Sequence, residues 1–318
     1  MANANGWGDG ASNNNIGWGK GADNAIGWGD IHADSYAGLT DIVGAAAFTG
    51  LLDTYTGAAA AFSLRLLRTL YTGNAIRVRR SSDNAEQDFG FVANVLDTAS
   101  LLTFCGAGNG FVTTWYDQSG NGYNASTATA LNQPQIVSSG VVIVENSKPS
   151  VKFDGSNDKL TGATITGLGA TSFSVFTLSS GLSQTGSYAG LLNIGAYSTG
   201  MTVARSMNNT GFALHHKNDI ILTSVGTAPT SGYSPKLFTA TKEINVISRL
   251  FLNGVASTTS TAAAMIGTFT DANFDIGRTL SFGVTLNGNI QEMVVYPTHQ
   301  PTNRANIETN INTFYSAY

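Results

Sequence analysis

The feature that most constrains this chain is a short stretch, Trp115–Asn124, that reads WYDQSGNGYN. It follows Phe111–Thr114, whose aromatic and β-branched residues favour a strand. Two glycines within three residues then supply backbone that tolerates a positive φ in a tight turn. Asp117 and Ser119 carry short polar side chains of the kind that hydrogen-bond nearby amides. The stretch therefore predicts a strand that ends in a closed turn.

Further motifs precede this turn in a fixed order. They are AFSLRLL (Ala61–Leu67), YTG (Tyr71–Gly73), RVRRSSD (Arg77–Asp83), DFG (Asp88–Gly90), TFC (Thr103–Cys105) and YDQSG (Tyr116–Gly120). Over residues 58–124 the ordered set resembles the catalytic-domain family of fungal and bacterial α-L-arabinofuranosidase B. The resemblance implies a concanavalin A-like β-sandwich. From about residue 150 the chain is similar to laminin-G-like sandwiches, and the combined architecture is similar to adhesion and fibre proteins of tailed phages.

The composition indicates a polar but weakly charged surface. Hydrophobic residues make up 42% of the 318 residues, enough for a large core, whereas charged residues make up only 11%. With 37 glycines, this composition is typical of an all-β protein with many turns. Such a surface suits a neutral partner such as a glycan. The net charge of −4 argues against nucleic acid as a partner, and no apolar run approaches a membrane span.

Cysteine usage and the first residues bear on the cellular location. Cys105 is the only cysteine, so no intramolecular disulfide forms. The resembled family is normally secreted and disulfide-bonded, and the chain departs from it here. The start, Met1–Asn5, lacks the basic and apolar regions of a signal peptide. We therefore expect synthesis in a host cytoplasm without secretion, followed by release on lysis.

The first part of the chain contains a repeat of Gly-Trp-Gly units centred on Trp7, Trp18 and Trp28. Asn, Asp, Ala and Ser fill the spacers, so the segment alone buries too little apolar surface to offset its ordering entropy. We expect residues 1–45 to be an arm whose tryptophans dock against another protein or another copy of the chain. Packing against its own sandwich and a flexible linker are the alternatives.

Residues 46–318 are expected to form one concanavalin A-like β-sandwich, or jelly roll, with two short helices. Apolar residues spaced by four predict a helix over 58–71, and the alternation in Ala75–Arg80 predicts a strand. Short strands follow from residue 149 onward, with a hairpin turn at Asn253-Gly254. A terminal helix is predicted over 303–315, with Ile307, Ile311 and Phe314 on one face.

The resemblance implies a glutamate nucleophile in a Gly-x-x-x-Glu context that precedes a helix. Gly288–Glu292 matches that context, which makes Glu292 the candidate nucleophile. Retaining hydrolysis also needs a second carboxyl group about 5 Å away. The family's acid/base aspartate and its adjacent cysteines have no counterpart in this sequence. We therefore favour the alternative, in which Glu292 lies on the polar face of a non-catalytic sandwich.

Other polar residues have structural interpretations. His215 and His216 are adjacent in a predicted strand, so they point to opposite faces and do not chelate one metal together. Asp154 and Asp158 are expected to cap a turn, with calcium as the alternative. No cofactor is expected. Trp115 is expected to be buried.

Two groups complete the candidates. A solvated charge network is expected among three arginines and three acids: Arg77, Arg79, Arg80, Asp83, Glu86 and Asp88. Tyr116 and Asp117 are the candidate glycan-binding residues, because an exposed aromatic ring stacks on a sugar.

Taken together, the docking tryptophans, the missing signal peptide and the incomplete catalytic set favour a phage virion structural protein. It would be a head fibre, spike or capsid-decorating subunit on the virion surface. We expect it to bind other virion proteins through residues 1–45, to bind cell-surface glycan through a lectin-like domain, and to form a homo-oligomer such as a trimer. The main alternative is an α-L-arabinofuranosidase-like retaining glycoside hydrolase that uses Glu292. A bacterial surface adhesin is the third.

Overall fold

The structure, a computed structural model, describes residues 48–181, 188–196, 198–206, 211–217, 219–222, 233–279 and 283–318. The chain divides after Phe48 into two units, and the second unit is Thr49–Tyr318. The predicted arm, including Trp7, Trp18 and Trp28, lies outside the described residues, and so does the predicted boundary at residue 45. Both stay predictions.

Strands dominate the described part of the chain. They are β1 (Ala60–Ser63), β2 (Ile76–Arg80), β3 (Glu86–Phe89), β4 (Phe91–Val92), β5 (Val95–Leu96), β6 (Gly110–Trp115), β7 (Ala125–Ser126), β8 (Gln135–Ser138), β9 (Val141–Val142), β10 (Val144–Glu145), β11 (Lys148–Pro149), β12 (Val151–Asp154), β13 (Leu160–Gly162), β14 (Phe173–Gly181), β15 (Tyr188–Ile194), β16 (Met201–Ser206), β17 (Gly211–His216), β18 (Asp219–Leu222), β19 (Tyr233–Glu243), β20 (Ile247–Leu252), β21 (Val255–Ser260), β22 (Phe274–Ile276) and β23 (Asn287–Tyr296).

The helices are α1 (Leu51–Thr54), α2 (Thr98–Cys105), α3 (Ala263–Ile266) and α4 (Arg304–Tyr315), with 3-10 turns at Ala130–Asn132 and Leu168–Ala170. The sequence predicted two helices. None of the helices in the described ranges is both long enough and apolar enough to cross a membrane.

Antiparallel pairing arranges the strands in two runs. The first run is β21–β20–β19–β14–β23, and both β1 and β12 pair with β23. The second run is β3–β2–β6–β7–β13–β22–β15–β16–β17–β18. Strand β8 joins the two runs because it pairs with both β12 and β6.

The main core lies between the two runs. Val175, Phe238 and Met293 enter it from the first run, and Leu160 and Leu214 enter it from the second. Alternate residues of each strand face this core, which is the pattern of two sheets packed face to face. The fold is therefore all-β with a sandwich arrangement, as the sequence predicted.

A second core covers the other face of β14 and β23. There Phe176 and Val294 pack with Leu51 of α1 and with Ile307 and Ile311 of α4. The predicted terminal helix is thus confirmed, one residue shorter at its start, and its apolar stripe buries the outside of the sheet. Phe314 is only partly buried.

The helix predicted over 58–71 is wrong. Its first part is β1, which pairs with β23, and its second part is held by the buried side chain of Gln118. The Gln118 amide donates to the carbonyls of Ser63 and Arg65 at 3.0 Å and accepts from the Leu67 amide at 2.8 Å. These long-range hydrogen bonds hold the backbone extended although the apolar spacing fits a helix. The strand at 75–80 and the hairpin at Asn253-Gly254 are confirmed.

Candidate functional site

The turn predicted after β6 is confirmed, and Asp117 holds it closed. Its Oδ1 accepts from the amides of Ala61 and Ser119, both at 2.8 Å. Its Oδ2 accepts from the Ser119 hydroxyl at 2.7 Å and from the Tyr123 amide at 3.0 Å. A carboxylate has about four lone-pair sites, so these bonds occupy the acceptors of Asp117. The carboxylate therefore ties β1 to the turn.

The aromatic residues beside Asp117 differ in environment. Trp115 is fully buried, as predicted, and meets Phe62 edge to face in the main core. Tyr116 is half-buried and donates from its hydroxyl to Asp88 Oδ1 at 2.7 Å. Burial and this hydrogen bond raise the pKa of Tyr116. Glycan binding by Tyr116 and Asp117 stays a prediction.

Glu292 lies in an enclosed ion pair between β23 and α4. Its side chain is 1% exposed, and Arg65 donates to both carboxylate oxygens, at 2.7 and 2.8 Å. The Ser63 hydroxyl donates to Oε2 at 2.8 Å, and the Tyr315 hydroxyl lies 3.2 Å from the same oxygen. Burial, followed by the charge of Glu292, raises the pKa of Tyr315 well above its usual value. In this geometry the carboxylate fastens the terminal helix to the sheet.

The surroundings of Glu292 disfavour a role as nucleophile. A nucleophile must reach the anomeric carbon of a sugar, whereas this carboxylate is enclosed by Arg65, Ser63 and Tyr315. The alternative placed Glu292 on the polar face of the sheet, and that face is the one that α4 covers. The catalytic role stays a prediction.

A row of polar side chains crosses five neighbouring strands of the second run. In register, Thr161 pairs with Asp275, Asp275 with Asn193, Asn193 with Thr202, and Thr202 with His215. We call these five residues the polar row. Their chain neighbours, among them Leu160, Ile276, Val203 and Leu214, belong to the main core. Because side chains alternate along a strand, the row points to the opposite face.

Hydrogen bonds connect members of the row. The Thr202 hydroxyl donates to Asn193 Oδ1 at 2.6 Å, and the Thr161 hydroxyl donates to Asp275 Oδ1 at 2.5 Å. Asp275 is 5% exposed, and Asn193 is fully buried. The hydrogen bond to this buried carboxylate thus comes from a neutral hydroxyl. The row offers donors, acceptors and one carboxylate in a straight line across the sheet.

The two adjacent histidines point to opposite faces, as predicted. His216 packs against Phe269 at a ring distance of 5.5 Å and contacts the carbonyl of Ala264. His215 lies in the polar row, where the ring of Tyr188 meets it edge to face at 4.3 Å. Burial lowers the pKa of His215 to about 4, so its imidazole is neutral near pH 7. A neutral ring beside a tyrosine provides an aromatic surface.

Two other structural predictions are confirmed. Asp154 caps its turn by accepting from the amides of Ser156 and Asn157, and Asp158 accepts from the Asp154 amide. Groups of three or more potential metal ligands are not found among the described residues. Calcium binding and the expected lack of a cofactor stay predictions.

The predicted charge network also forms. Arg77 pairs with Glu86 at 2.7 Å and with Asp88 at 3.1 Å, and Arg80 pairs with Asp83 at 2.6 Å. Arg79 instead donates to the neutral side chains of Gln133 and Asn84.

The polar row was missed in the sequence because its members lie on five separate strands. Asn193, Thr202 and Asp275 belong to no motif, and only the register of the sheet brings them together. Alternation of polar residues with core residues in β15, β16, β17 and β22 was the available signal.

Comparisons with known proteins show which family and which solved structures this chain is similar to. Residues 52–157 match the family model described as α-L-arabinofuranosidase B, catalytic. Among solved structures, an arabinofuranosidase complexed with arabinofuranosyl-α-1,2-xylobiose is 14% identical, with a TM-score of 0.63. A GH54 α-L-arabinofuranosidase soaked with a cyclic sulfate inhibitor is 14% identical, with a TM-score of 0.64. A glutamate-to-glutamine mutant of a GH54 α-L-arabinofuranosidase soaked with 4-nitrophenyl α-L-arabinofuranoside is 15% identical, with a TM-score of 0.63.

Each of these structural matches covers 83% of this chain and 64% of the other chain, so this chain spans about 64% of the length of those arabinofuranosidases. No curated protein matches at a significant level. The similarity at this identity shows the shared fold.

These findings correct the functional prediction. The interpretation as a phage virion structural protein, whether head fibre, spike or capsid-decorating subunit, is wrong, because the family model that matches residues 52–157 is that of an arabinofuranosidase catalytic domain and the solved structures with this fold are arabinofuranosidases. The resemblance of residues 58–124 to the arabinofuranosidase B family is supported, since the matched region contains that range.

Proposed function

We propose that this chain is an arabinofuranosidase-like glycoside hydrolase that acts on α-L-arabinofuranosyl groups, built on a concanavalin A-like sandwich with a laminin-G-like second half. The match of residues 52–157 to the arabinofuranosidase family model carries the proposal. The neighbouring structures support it, since their ligands are arabinofuranosides or inhibitors of an arabinofuranosidase.

The polar row is the sugar site in this proposal. A furanosyl group presents hydroxyls that donate hydrogen bonds, and the hydroxyl oxygens of Thr161 and Thr202 keep lone pairs that accept them. Asn193 accepts from Thr202 and donates to the Gly195 carbonyl, so it fixes the orientation of Thr202. Tyr188 and the neutral ring of His215 add the apolar surface that the carbon face of a sugar covers. A row on three or more strands holds these groups rigidly in register.

Asp275 is the carboxylate of this site in the proposal, and it acts through its charge without forming a bond to the sugar. Glycoside cleavage passes through a transition state with positive charge at the anomeric carbon, which a nearby carboxylate stabilises. Asp275 is 5% exposed, and its hydrogen bond comes from the hydroxyl of Thr161. Asp275 has no ion pair with a residue that the structure describes, and a buried carboxylate of this kind interacts strongly with such a charge, because little solvent screens it. Glu292 differs, since Arg65 already neutralises it.

The test is hydrolysis of 4-nitrophenyl α-L-arabinofuranoside by the full chain and by three variants. We expect D275N to lose at least about a hundredfold in kcat, since it removes the charge that stabilises the transition state. E86Q, which alters an exposed carboxylate of the charge network, is the matched control and should keep full activity. E292Q tests the buried carboxylate of Glu292.

The outcomes separate the two carboxylates. Activity that D275N abolishes and E292Q leaves in the folded protein supports the polar row. Activity that E292Q abolishes while D275N retains it moves the site to Glu292 and overturns the assignment to the row. A purified, folded chain that releases no nitrophenol overturns the proposed function.

A further inference from the structure

A cleft lies beside the turn of Trp115–Asn124. Its volume is about 580 Å³, and none of its lining residues belongs to the polar row. Arg68, Asp53 and Tyr123 line it, together with the exposed side chain of Leu70. This volume falls in the range of small-ligand sites.

The floor of the cleft is fixed by the turn. Asn121 donates from its side chain to the carbonyls of Ala58 and Ala59, at 3.0 and 2.9 Å. Arg68 lies over Gly120 and donates from Nη1 to the Ser119 carbonyl at 3.1 Å. Because these bonds tie the lining to the closed turn, the cleft is formed in advance of any ligand.

The cleft keeps polar groups available for a ligand. The single side-chain hydrogen bond of Arg68 within the described residues uses one of five donors, which leaves Nε and Nη2. Asp53 accepts three hydrogen bonds at Oδ2, from the Gly50 amide and from the amide and hydroxyl of Thr69. Burial would raise the pKa of Asp53, but these hydrogen bonds lower it overall, so the carboxylate is ionised at neutral pH and Oδ1 remains as an acceptor.

The pairing of charges indicates a neutral ligand. Arg68 and Asp53 line the same cleft and attract each other electrostatically, so the cleft has no excess of either sign. Neighbouring sugar hydroxyls accept from a guanidinium and donate to a carboxylate at the same time. Tyr123, whose ring packs against the main core, adds an aromatic edge in a fixed position.

We propose that this cleft is a secondary carbohydrate site that holds a neutral oligosaccharide of two or three sugars. The choice of sugar rests on the proposed function: an enzyme that removes arabinofuranosyl groups from a polymer gains by holding the polymer backbone at a second place. The recognition itself rests on Arg68, Asp53 and Tyr123 alone.

The probe is xylotriose, titrated into the full chain by NMR or calorimetry, with maltotriose as a comparison. We expect millimolar binding of xylotriose, weakened about tenfold in R68Q because a charged donor is lost. R79Q removes an arginine charge outside the cleft and should bind as the unaltered chain does. L70R places a long charged side chain at the cleft at a position that is 78% exposed, so it should block binding without disturbing the core.

Binding that R68Q and L70R both weaken, and R79Q does not, supports the site. No binding of xylotriose, or binding that neither R68Q nor L70R changes, overturns it. The result is independent of the nitrophenyl assay: hydrolysis without xylotriose binding overturns only the secondary site, and xylotriose binding without hydrolysis overturns only the proposed enzyme.

Discussion

The buried pair of Arg65 and Glu292 gives a stability prediction that can be worked from its geometry. Arg65 approaches both oxygens of Glu292 at under 3 Å, and the two side chains are 9% and 1% exposed. R65M keeps a long apolar side chain at residue 65 and removes the guanidinium, whose Cζ lies 4.9 Å from the centre of the Phe314 ring. Glu292 is then left as an uncompensated buried charge. Removal of one partner of such a pair costs about 3–5 kcal/mol of unfolding free energy.

Chemical denaturation at neutral pH measures this cost, and thermal unfolding gives a second reading. In domains of a few hundred residues 1 kcal/mol shifts Tm by about 2–4 °C, so R65M should lower Tm by roughly 6–20 °C. R77M breaks an exposed ion pair of the charge network and serves as the matched control, for which we expect no measurable shift.

A double variant separates charge from packing. R65M/E292M replaces both charged groups by apolar ones, and such replacements are often neutral or stabilising. It should therefore recover most of the stability lost in R65M. The reasoning fails if R65M unfolds at the denaturant midpoint of the unaltered chain, or if the double variant is no more stable than R65M.

Two further predictions concern aspartates in turns. D117N should lower the unfolding free energy by about 2–4 kcal/mol. The carboxylate accepts from three backbone amides and a hydroxyl, and the asparagine side chain replaces one of its acceptor oxygens by a donor. A urea midpoint equal to that of the unaltered chain would contradict this. Burial, then the charge of Asp154, raises the pKa of Asp158 to about 7, so the folded state holds this proton more tightly than the unfolded chain does. Stability from this group is present at low pH and is lost as the pH rises from about 4 to about 7, by a few kcal/mol. D158N should remove that fall, and a stability–pH curve parallel to that of the unaltered chain would refute the assignment.

The features that the sequence predicts well depend on neighbouring residues. Trp115 is buried because it ends an apolar strand, Asp154 caps the turn that it begins, and Asn253-Gly254 takes the positive φ that its hairpin needs. The chemistry of each residue and its near neighbours is enough in these cases. The terminal helix is also predicted from its own residues, because its apolar spacing matches the face that it packs against the sheet.

Long-range contacts explain the failures. Leu66 and Leu70 continue a helical spacing from Phe62, but Phe62 pairs with Met293 in β23, and Leu66 bonds to the Asn94 carbonyl. The free energy of these distant hydrogen bonds outweighs local propensity. The functional interpretation failed for a different reason. It rested on the tryptophan repeat, on the pattern of the first residues and on the unmatched catalytic residues of the family, and none of these features lies in the region 52–157 that matches the arabinofuranosidase model.

The buried carboxylates of Glu292 and Asp275 point to different roles because their partners differ. A buried ionised carboxylate is costly unless a cation or several donors compensate it. Glu292 is compensated by a bidentate guanidinium and two hydroxyls, so it has little free energy left to gain from a ligand. Asp275 accepts from the hydroxyl of Thr161 on the face opposite the main core. A buried carboxylate that is held by a neutral hydroxyl gains more electrostatic free energy from positive charge on a bound ligand than a carboxylate already paired with an arginine. This difference is the physical reason to test Asp275 first for a catalytic role.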